Sequence, residues 1–381
     1  MTRHYALFVL VTRFLPACTT CRLCTAQPAE GAAMATIVMT DNDFGGADFE
    51  RKLVKGAGLG FASYNGPDCR TPEQIVAHLQ AACEPSASAS GAGKHEERTE
   101  AVGAITSYGR YTAEVFKALP QLKVVSKTGT GVDNIDVEAA TRNGTVVCNV
   151  PGYGTEVVSD HAIALALAVL RRINETDADL RAGTWDFRRR RPLGQVQGRT
   201  FGVVGYGSIG RAAARKARGL GFDVVVWDRK GVPGRRTPED FPYLALDDLL
   251  KTVDVVSFHT ALTLETHHLL SAERIASMKP DAVVVNTSRG AVVDTKALAE
   301  ALCSGKLWGA GLDVFEEEPL TPGHPICRAP HTVLSPHDGY WSEESAVELR
   351  TRAAENAIAV MSGKAPEHCM NPEALEAAWA K

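Results

Sequence analysis

Short apolar runs and amphipathic segments alternate along most of this chain. In the first half, four runs have the length and the apolar content of strands: 35–39, 101–106, 122–126 and 146–150. Segments with helical spacing follow at 74–83 and 112–119, and the polar residues 40–42 are interpreted as a turn after the first strand. This alternation of strand and helix predicts a parallel sheet with helices packed on its faces.

The same pattern restarts near residue 200 and predicts a second lobe. Its predicted strands are 200–204, 223–227, 253–258, 282–285, 307–312 and 333–335, and its predicted helices are 209–220, 247–251, 271–278 and 295–303. A long apolar helix at 156–172 is expected to bridge the two lobes. A second long helix, at 342–361, would return the chain to the first lobe.

These elements predict an α/β protein of two Rossmann-like lobes with parallel sheets. The first lobe is expected to be discontinuous, built from residues 34–153 and from a C-terminal helix within 336–381. The second lobe, residues 154–335, would be inserted between these two parts.

Two segments are expected to lie outside both cores. Residues 84–100 are small, polar and charged, which is typical of a flexible insertion. Residues 1–33 are interpreted as a disordered extension or as an upstream, misassigned start. Their short apolar run is interrupted by Arg13, and no convincing small-residue cleavage site of a signal peptide follows. The CxxCxxC pattern at 18–24 lacks a fourth ligand, so we predict no structural metal.

Composition narrows the classes of partner. The 381 residues are 45% hydrophobic and 23% charged, which is typical of a globular protein with more than one core. Lysine and arginine total 41 against 45 acidic residues, a net charge of -4 that argues against nucleic-acid and membrane-surface partners. The arginine run at 188–191 is therefore interpreted as a solvated loop. Most cysteines are isolated in the sequence, as in a reduced cytoplasmic protein.

Residues 205–210, GYGSIG, form a GxGxxG motif directly after one predicted strand and before a predicted helix. In this context Gly205 permits a tight turn, Gly207 lets the backbone approach a pyrophosphate, and Gly210 lets the helix pack closely on the strand. The amides that open the helix would face the phosphates. The motif predicts a dinucleotide-binding site in the second lobe.

An acid at the end of the next predicted strand, Asp228, fits the same motif. Its carboxylate would accept hydrogen bonds from the adenosine ribose and repel a 2'-phosphate, so NAD is favoured over NADP. The neighbouring cations Arg229 and Lys230 keep NADP open as an alternative, because they could tolerate the phosphate.

Six sequence blocks, in this order, resemble the D-isomer-specific 2-hydroxyacid dehydrogenases, which include phosphoglycerate, glycerate and D-lactate dehydrogenases. The blocks are KTGTGVDNIDVEAA (127–140), NVPGYGTEVVSDHA (149–162), GYGSIGR (205–211), VVNTSRGAVVD (284–294), GLDVFEEEP (311–319) and SPHDGY (335–340). The resemblance runs from about residue 34 to 372. It implies an NAD-dependent cytoplasmic enzyme that interconverts a D-2-hydroxyacid and a 2-oxoacid in the cleft between the lobes, and a homodimer.

The resemblance assigns three catalytic residues. Arg289 matches the substrate-binding arginine, Glu318 the glutamate that orients the histidine, and His337 the acid and base. The chemistry suits these side chains, because a planar guanidinium binds the substrate carboxylate and polarises the ketone. A histidine can protonate the developing alkoxide near neutral pH.

Further contacts carried over from the family lie around these three residues. On the substrate side they are Ser107, Tyr108, Gly129, Thr130 and Gly131; on the cofactor side they are Ser208, Ile209, His259, Thr287, Ser288 and Asp313. Asp313 would receive the nicotinamide carboxamide, whereas His259 could equally be a histidine near the adenine without a catalytic duty. The sequence departs from the family after His337, at Asp338 and at Tyr340 and Trp341, so the identity of the acid stays open.

One alternative belongs to another functional class. The related C-terminal-binding co-repressors share this fold and can retain the catalytic triad, so an NAD(H)-sensing binding protein is the second hypothesis. Formate dehydrogenases also resemble this chain, but that family has glutamine where Glu318 stands.

Overall fold

The computed structural model describes residues 35–66, 69–82 and 102–381, so the predicted extension at 1–33 and the predicted insertion at 84–100 lie outside the described residues. The first sheet has the strand order β2-β1-β3-β4-β5, and its neighbouring strands are parallel. Its strands are β1 (Thr36–Asn42), β2 (Gly60–Asn65), β3 (Val102–Thr106), β4 (Leu122–Lys127) and β5 (Val146–Cys148). Its helices are α1 (Asp48–Gly56), α2 (Pro72–Ala81), α3 (Ala113–Ala118) and α4 (Val137–Arg142).

The second sheet is also parallel, with the order β11-β10-β9-β8-β6-β7. Its strands are β6 (Thr200–Val204), β7 (Asp223–Trp227), β8 (Val255–Phe258), β9 (Val283–Asn286), β10 (Gly309–Leu312) and β11 (Thr332–Leu334). The remaining helices are α5 (Thr155–Arg171), α6 (Ile173–Arg181), α7 (Ser208–Gly219), α8 (Leu246–Thr252), α9 (Ala272–Ser277), α10 (Thr295–Cys303), α11 (Glu343–Met361) and α12 (Leu375–Ala380). The predicted fold class, two Rossmann-like parallel-sheet lobes, is confirmed.

Burial on both faces explains the composition of the central strands. Every residue of β8 and β9 is buried, and five of their eight residues are valine. Such runs are typical of parallel strands that are covered by helices on both sides. One apolar cluster packs beneath α8, α9 and α10, and another packs beneath α5 and α7 on the opposite face.

The C-terminal helices pack on the first sheet rather than on the second. Residues of α11 and α12 share an apolar cluster with β1, β3, β4 and β5. The hydroxyl of Ser126 donates to the carbonyl of Ala353 at 2.7 Å, and Asn371 accepts the amide of Val147 at 2.8 Å. The boundaries of the predicted domains, 34–153, 154–335 and 336–381, stay a prediction.

Strand order reverses once in each sheet. In the second sheet the chain passes from β6 to β7 on one side and then to β8 on the other. In the first sheet the reversal lies between β1 and β3. Open α/β sheets bind ligands at the carboxyl ends of the strands that flank such a reversal. The topology therefore directs attention to the residues that follow β6, β8, β1 and β3.

The interpretation of residues 40–42 as a turn was wrong. These residues continue β1 to Asn42 and are buried, because their side chains find partners inside the lobe. The Thr40 hydroxyl lies 3.0 Å from that of Tyr111, and Asp41 accepts the Thr106 hydroxyl at 2.6 Å. The sequence pattern also missed α1, β2, α4, α6 and α12.

Within the described ranges 35–66, 69–82 and 102–381, the structure contains no helix of the length and apolarity that crossing a membrane requires.

A nearly buried ion pair attaches α11 to α1. The guanidinium of Arg350 contacts both carboxylate oxygens of Glu50, at 2.5 and 2.7 Å, and the Glu50 side chain is only 1% exposed. The same guanidinium donates to the carbonyl of Gly46 at 2.7 Å. Removing one member of such a pair leaves a buried charge without a partner.

We predict that Arg350→Ala lowers the free energy of unfolding by roughly 3 kcal/mol, because Glu50 then loses its counter-charge. The exposed pair of Arg181 and Asp177 provides the control, and Arg181→Ala should cost below about 0.5 kcal/mol. Urea titration followed by circular dichroism measures both. Equal losses in the two variants would contradict the prediction.

Candidate active site

The turn after β6 gives each of its three glycines a distinct geometry. Gly205 has φ +97°, and a Cβ on it would come within 2.7 Å of the His259 carbonyl oxygen. A Cβ on Gly210 would overlap the carbonyl oxygen of Gly205, so the close packing of α7 on β6 requires glycine there. Above Gly207, by contrast, no described atom lies within 4 Å of a Cβ position. This open space beside the first turn of α7, where Ser208 and Ile209 lie, has the form of an anion site.

Asp228 lies beside this turn, directly after β7. One of its carboxylate oxygens accepts the amide of Tyr206 at 3.0 Å, and the other accepts the amide of Lys230 at 2.9 Å. Arg229 is largely exposed and pairs with Glu265 at 3.4 Å. The geometry thus holds an acidic group at the edge of the glycine turn, where the motif predicted it.

Three buried polar atoms at the carboxyl ends of β8 and β9 have no partner among the described residues: His259 Nδ1, Thr260 Oγ1 and Thr287 Oγ1. They follow β8 and β9, on the side of the sheet where its order reverses. Because an unpaired buried polar group is costly, such atoms indicate a polar ligand. Together with the open space over Gly207, they fit a bound dinucleotide.

His259 and Ser288 differ in their availability to that ligand. Burial lowers the pKa of His259 to about 4, so its ring is neutral near pH 7, and its Nε2 lies 2.9 Å from the Ser257 hydroxyl. The hydroxyl of Ser288 donates to the side chain of Asn286 at 2.9 Å and so supports the turn after β9. His259 therefore offers the ligand its free nitrogen, whereas the Ser288 hydroxyl is already engaged.

His337 and Glu318 form a hydrogen-bonded pair. The Nδ1 atom of His337 lies 2.7 Å from one carboxylate oxygen of Glu318, and the other oxygen accepts the amide of Phe315 at 2.9 Å. Since Nδ1 is occupied in this way, Nε2 is the ring nitrogen left for proton exchange. The backbone of His337 has φ +57°, a left-handed conformation that costs a residue with a side chain about 1–2 kcal/mol.

Asp313 stabilises the loop that carries His337. Its carboxylate accepts the hydroxyl of Ser335 at 2.6 Å and the amides of Asp338 and Gly339 at 3.0 Å each. Although burial acts to raise it, the pKa of Asp313 falls to about 2, because hydrogen bonds from His161 and Ser335 outweigh burial. The predicted contact of Asp313 with a nicotinamide carboxamide stays a prediction, since these groups already use its oxygens.

Arg289 joins the two lobes. Its Nε donates to the carboxylate of Asp133 at 2.9 Å, and one terminal nitrogen donates to the carbonyl of Ser288 at 2.8 Å. The guanidinium lies against Gly131, where a Cβ would overlap it. Glycine at this position therefore allows a cation from the end of β9 to reach the loop that follows β4.

The predicted substrate residues of the first lobe gather at this same edge. Asp41 accepts the backbone amides of Ser107, Tyr108 and Gly109 at 2.5–3.0 Å, which holds the turn after β3. The ring of Tyr108 stands edge-on to His337, with 5.8 Å between the ring centroids. The Thr130 hydroxyl donates to the carbonyl of Val150 at 3.1 Å, inside its own lobe. The loop at 129–131 thus offers mainly its backbone to a ligand.

Sequence reasoning missed four residues of this site: Asp41, Lys127, Asp133 and His161. Lys127 and Asp133 flank the glycines of the quoted KTGTGVDN segment, so their charges next to a glycine loop were a usable signal. His161 contacts the Ser335 hydroxyl at 2.8 Å, and no local pattern on α5 indicated that contact.

Comparison with known proteins agrees with this geometry. Residues 163–339 match the model of the D-isomer specific 2-hydroxyacid dehydrogenase, NAD binding domain. A glyoxylate reductase of Korarchaeum cryptofilum is 42% identical over 267 residues, which span 69% of this chain and 80% of the relative. The chain belongs to the D-isomer specific 2-hydroxyacid dehydrogenase family.

Solved structures give the same result. The TT0316 protein of Thermus thermophilus is 37% identical, with a TM-score of 0.75 over 88% of this chain and all of that one. A glyoxylate reductase from Paecilomyes thermophila is 28% identical, with a TM-score of 0.74 over 90% of this chain and 99% of that one. This family member is an NAD-dependent dehydrogenase that interconverts 2-hydroxyacids and 2-oxoacids, and the binding-only alternative is not favoured.

The glycine turn generates a paired prediction. Gly207→Ala should leave the melting temperature unchanged, because its new methyl group meets no described atom. It should weaken NADH binding about tenfold or more by occupying the space that a pyrophosphate needs. Gly210→Ala should instead destabilise the fold, because the methyl group meets the carbonyl of Gly205. NADH fluorescence titration and thermal melting separate the two effects, and a stable Gly210→Ala protein would contradict the steric argument.

Proposed function

We propose that this enzyme reduces a short 2-oxoacid, with glyoxylate as the leading candidate, and that Arg289, His337 and Glu318 carry out the catalysis. The observation that carries the proposal is that the first lobe brings Gly131 against Arg289 and Tyr108 against His337, which pairs with Glu318. The glyoxylate reductase relatives support the choice of substrate. Preference for D-2-hydroxyacids is part of the proposal.

In the proposed reaction Arg289 binds the substrate carboxylate and polarises the reacting carbonyl group, together with the backbone amides of the 129–131 loop. His337 donates its proton from Nε2 to the developing alkoxide and takes one back in the reverse direction. Glu318 holds the imidazole in place through Nδ1. NADH, when bound, supplies the hydride.

The cofactor would lie across the carboxyl ends of β6, β7, β8 and β9. The residues proposed to hold it are Gly205, Gly207, Ser208, Ile209, Gly210, Asp228, His259, Thr287, Ser288 and Asp313. Gly207 leaves room for the pyrophosphate, and the unpaired atoms of His259 and Thr287 are free to bind polar groups of the ligand.

Two tyrosines support a short substrate. Tyr108 and Tyr340 both contact the ring of His337. Both rings stand edge-on to His337, with centroid distances of 5.8 and 6.3 Å. Two rings against the proposed acid/base leave limited room for a substituent on the substrate carbonyl, which favours acids such as glyoxylate. Ser107, whose amide donates to Asp41, is also proposed to contact the substrate.

We predict that Arg289→Ala lowers turnover of glyoxylate on the order of a hundredfold or more, because the reacting carbonyl group loses its polarising group. His337→Asn should lower turnover at least as much, since amide nitrogen does not supply a transferable proton. NADH oxidation, followed by absorbance, measures both rates, with the exposed Arg142→Ala as control. Near-full activity of Arg289→Ala would refute its role.

We also propose a homodimer, formed through the segment that follows α5. Five large apolar side chains of this segment are 39% to 88% exposed: Ile173, Leu180, Trp185, Phe187 and Leu193. Such a concentration of exposed apolar groups is typical of a protein interface. A cytoplasmic location stays a prediction.

The dimer proposal predicts that Trp185→Ser combined with Phe187→Ser yields a monomer, because both apolar anchors are removed from the interface. Leu264→Ser, at a side chain that is 100% exposed outside this segment, should leave the mass unchanged. Size-exclusion chromatography with light scattering measures the mass. An unchanged dimer in the double variant, or a monomeric parent protein, would contradict the proposal.

A further inference from the structure

A lysine that has no part in the catalysis described above lies against the 129–131 loop. Lys127 ends β4, is almost fully buried, and donates from Nζ to the carbonyl of Ser107. A Cβ on Gly129 would lie 3.6 Å from Nζ, so the ammonium is directly beneath this glycine. Nζ also lies 5.1 Å from the ring centroid of Tyr108, the ring that stands beside His337.

Two cations therefore face the same short loop. Lys127 lies against Gly129, and Arg289 lies against Gly131. Arg289, however, already shares its charge with Asp133 at 2.9 Å. No carboxylate oxygen of the described residues forms an ion pair with Lys127 within 4.0 Å. Lys127 therefore adds a positive charge next to the 129–131 loop, and no carboxylate of the described residues contacts it directly.

The charged groups around Lys127 act in opposite directions. Asp41, Asp133 and Asp43 favour its charged form, while Arg289 opposes it. Asp41 already accepts the amides of the turn after β3, and Asp43 pairs with Arg70 at 2.5 Å. Burial is the largest influence and lowers the pKa of Lys127 to about 8. Its ammonium is therefore charged below about pH 8 and neutral above it.

We propose that Lys127 is a positioning residue of the substrate site, which places positive charge beneath the 129–131 loop and sets the affinity for the 2-oxoacid carboxylate. This inference rests on the proposed function and assigns substrate binding to a second cation. The loop amides present only partial positive charges to the substrate carboxylate. A buried ammonium behind them adds a full positive charge, and its electrostatic potential at the carboxylate is large because little water screens it. A residue of this kind changes KM rather than kcat.

Two substitutions separate charge from hydrogen bonding. Lys127→Gln keeps a donor for the Ser107 carbonyl but removes the charge, whereas Lys127→Met removes both. Both variants should raise KM for glyoxylate about tenfold or more and change kcat less than about threefold. Lys123→Gln, on the same strand, is the matched control and should keep the parent KM. The dissociation constant for NADH should stay the same in all variants.

The pH profile gives a second readout. Carboxylic acids stay ionised above about pH 6, so the substrate does not titrate in this range. For the parent enzyme, kcat/KM should fall as the pH rises through about 8, because Lys127 loses its proton and its charge. The variants at position 127 should lack the part of this fall in kcat/KM that comes from deprotonation of Lys127.

Binding of oxamate, an unreactive analogue of 2-oxoacids, to the enzyme with NADH tests the inference without turnover. Quenching of NADH fluorescence should show binding that weakens above about pH 8 in the parent protein and that is lost in Lys127→Gln. Parent-like KM and oxamate binding in Lys127→Gln would overturn the inference, even if Lys127→Met were defective, since the lysine would then only hold Ser107.

Failure of the proposed function has a different signature. A parent enzyme that binds oxamate but does not turn over glyoxylate would overturn the substrate assignment. The role of Lys127 would then still be decided by comparing oxamate binding in the parent enzyme and in Lys127→Gln. A parent that binds NADH but no 2-oxoacid or oxamate would overturn both proposals. If Lys127→Met does not fold, Lys127→Gln, which keeps a donor for the Ser107 carbonyl, decides the question.

Discussion

The contact between Arg289 and the 129–131 loop is possible because both sheets are parallel and their carboxyl edges meet. A parallel sheet sends every strand in the same direction, so the loops that follow the strands gather at one edge. The loops after β4 and β9 belong to different lobes, and the ion pair of Arg289 with Asp133 joins them. Gly131 is part of this constraint, since any side chain there would displace the guanidinium.

The geometry around His337 shows how the same edge is kept rigid. Its left-handed backbone is energetically unfavourable, and the surrounding hydrogen bonds to Asp313 offset that cost. The amide of His337 donates to the Asp313 carbonyl at 2.8 Å, while Glu318 holds the imidazole from the other side. Asp313 therefore fixes the shape of the loop that carries His337.

Electrostatics in the cleft depend on local charges, because the whole chain carries a net charge of only -4. Arg289 and Lys127 are positive, and Asp133 offsets part of that charge. Asp41 is also nearby, but backbone amides and the Thr106 hydroxyl surround its carboxylate. The electrostatic potential at the position of an acid substrate therefore depends mainly on these few side chains.

Much of the site could be predicted from local sequence. The glycine turn and Asp228 stand in a motif whose chemistry depends on spacing along the chain, whereas Arg289, Glu318 and His337 were predicted from the resemblance to the family. The role of Asp41 could not be read in this way. A polar run after a short apolar strand normally indicates a turn, and only the amides of residues 107–109, some 66 positions away, make its burial favourable.

By itself, the sequence determined the class of elements, the dinucleotide motif and the family, because periodicity and motif spacing are local properties. Only the tertiary structure decided which distant residues face one another. Lys127 beneath Gly129, Arg289 against Gly131, and His161 beside Ser335 are contacts that depend on how the chain folds. Their energies depend on burial and on distances across the fold, and a linear pattern of residue types contains neither quantity.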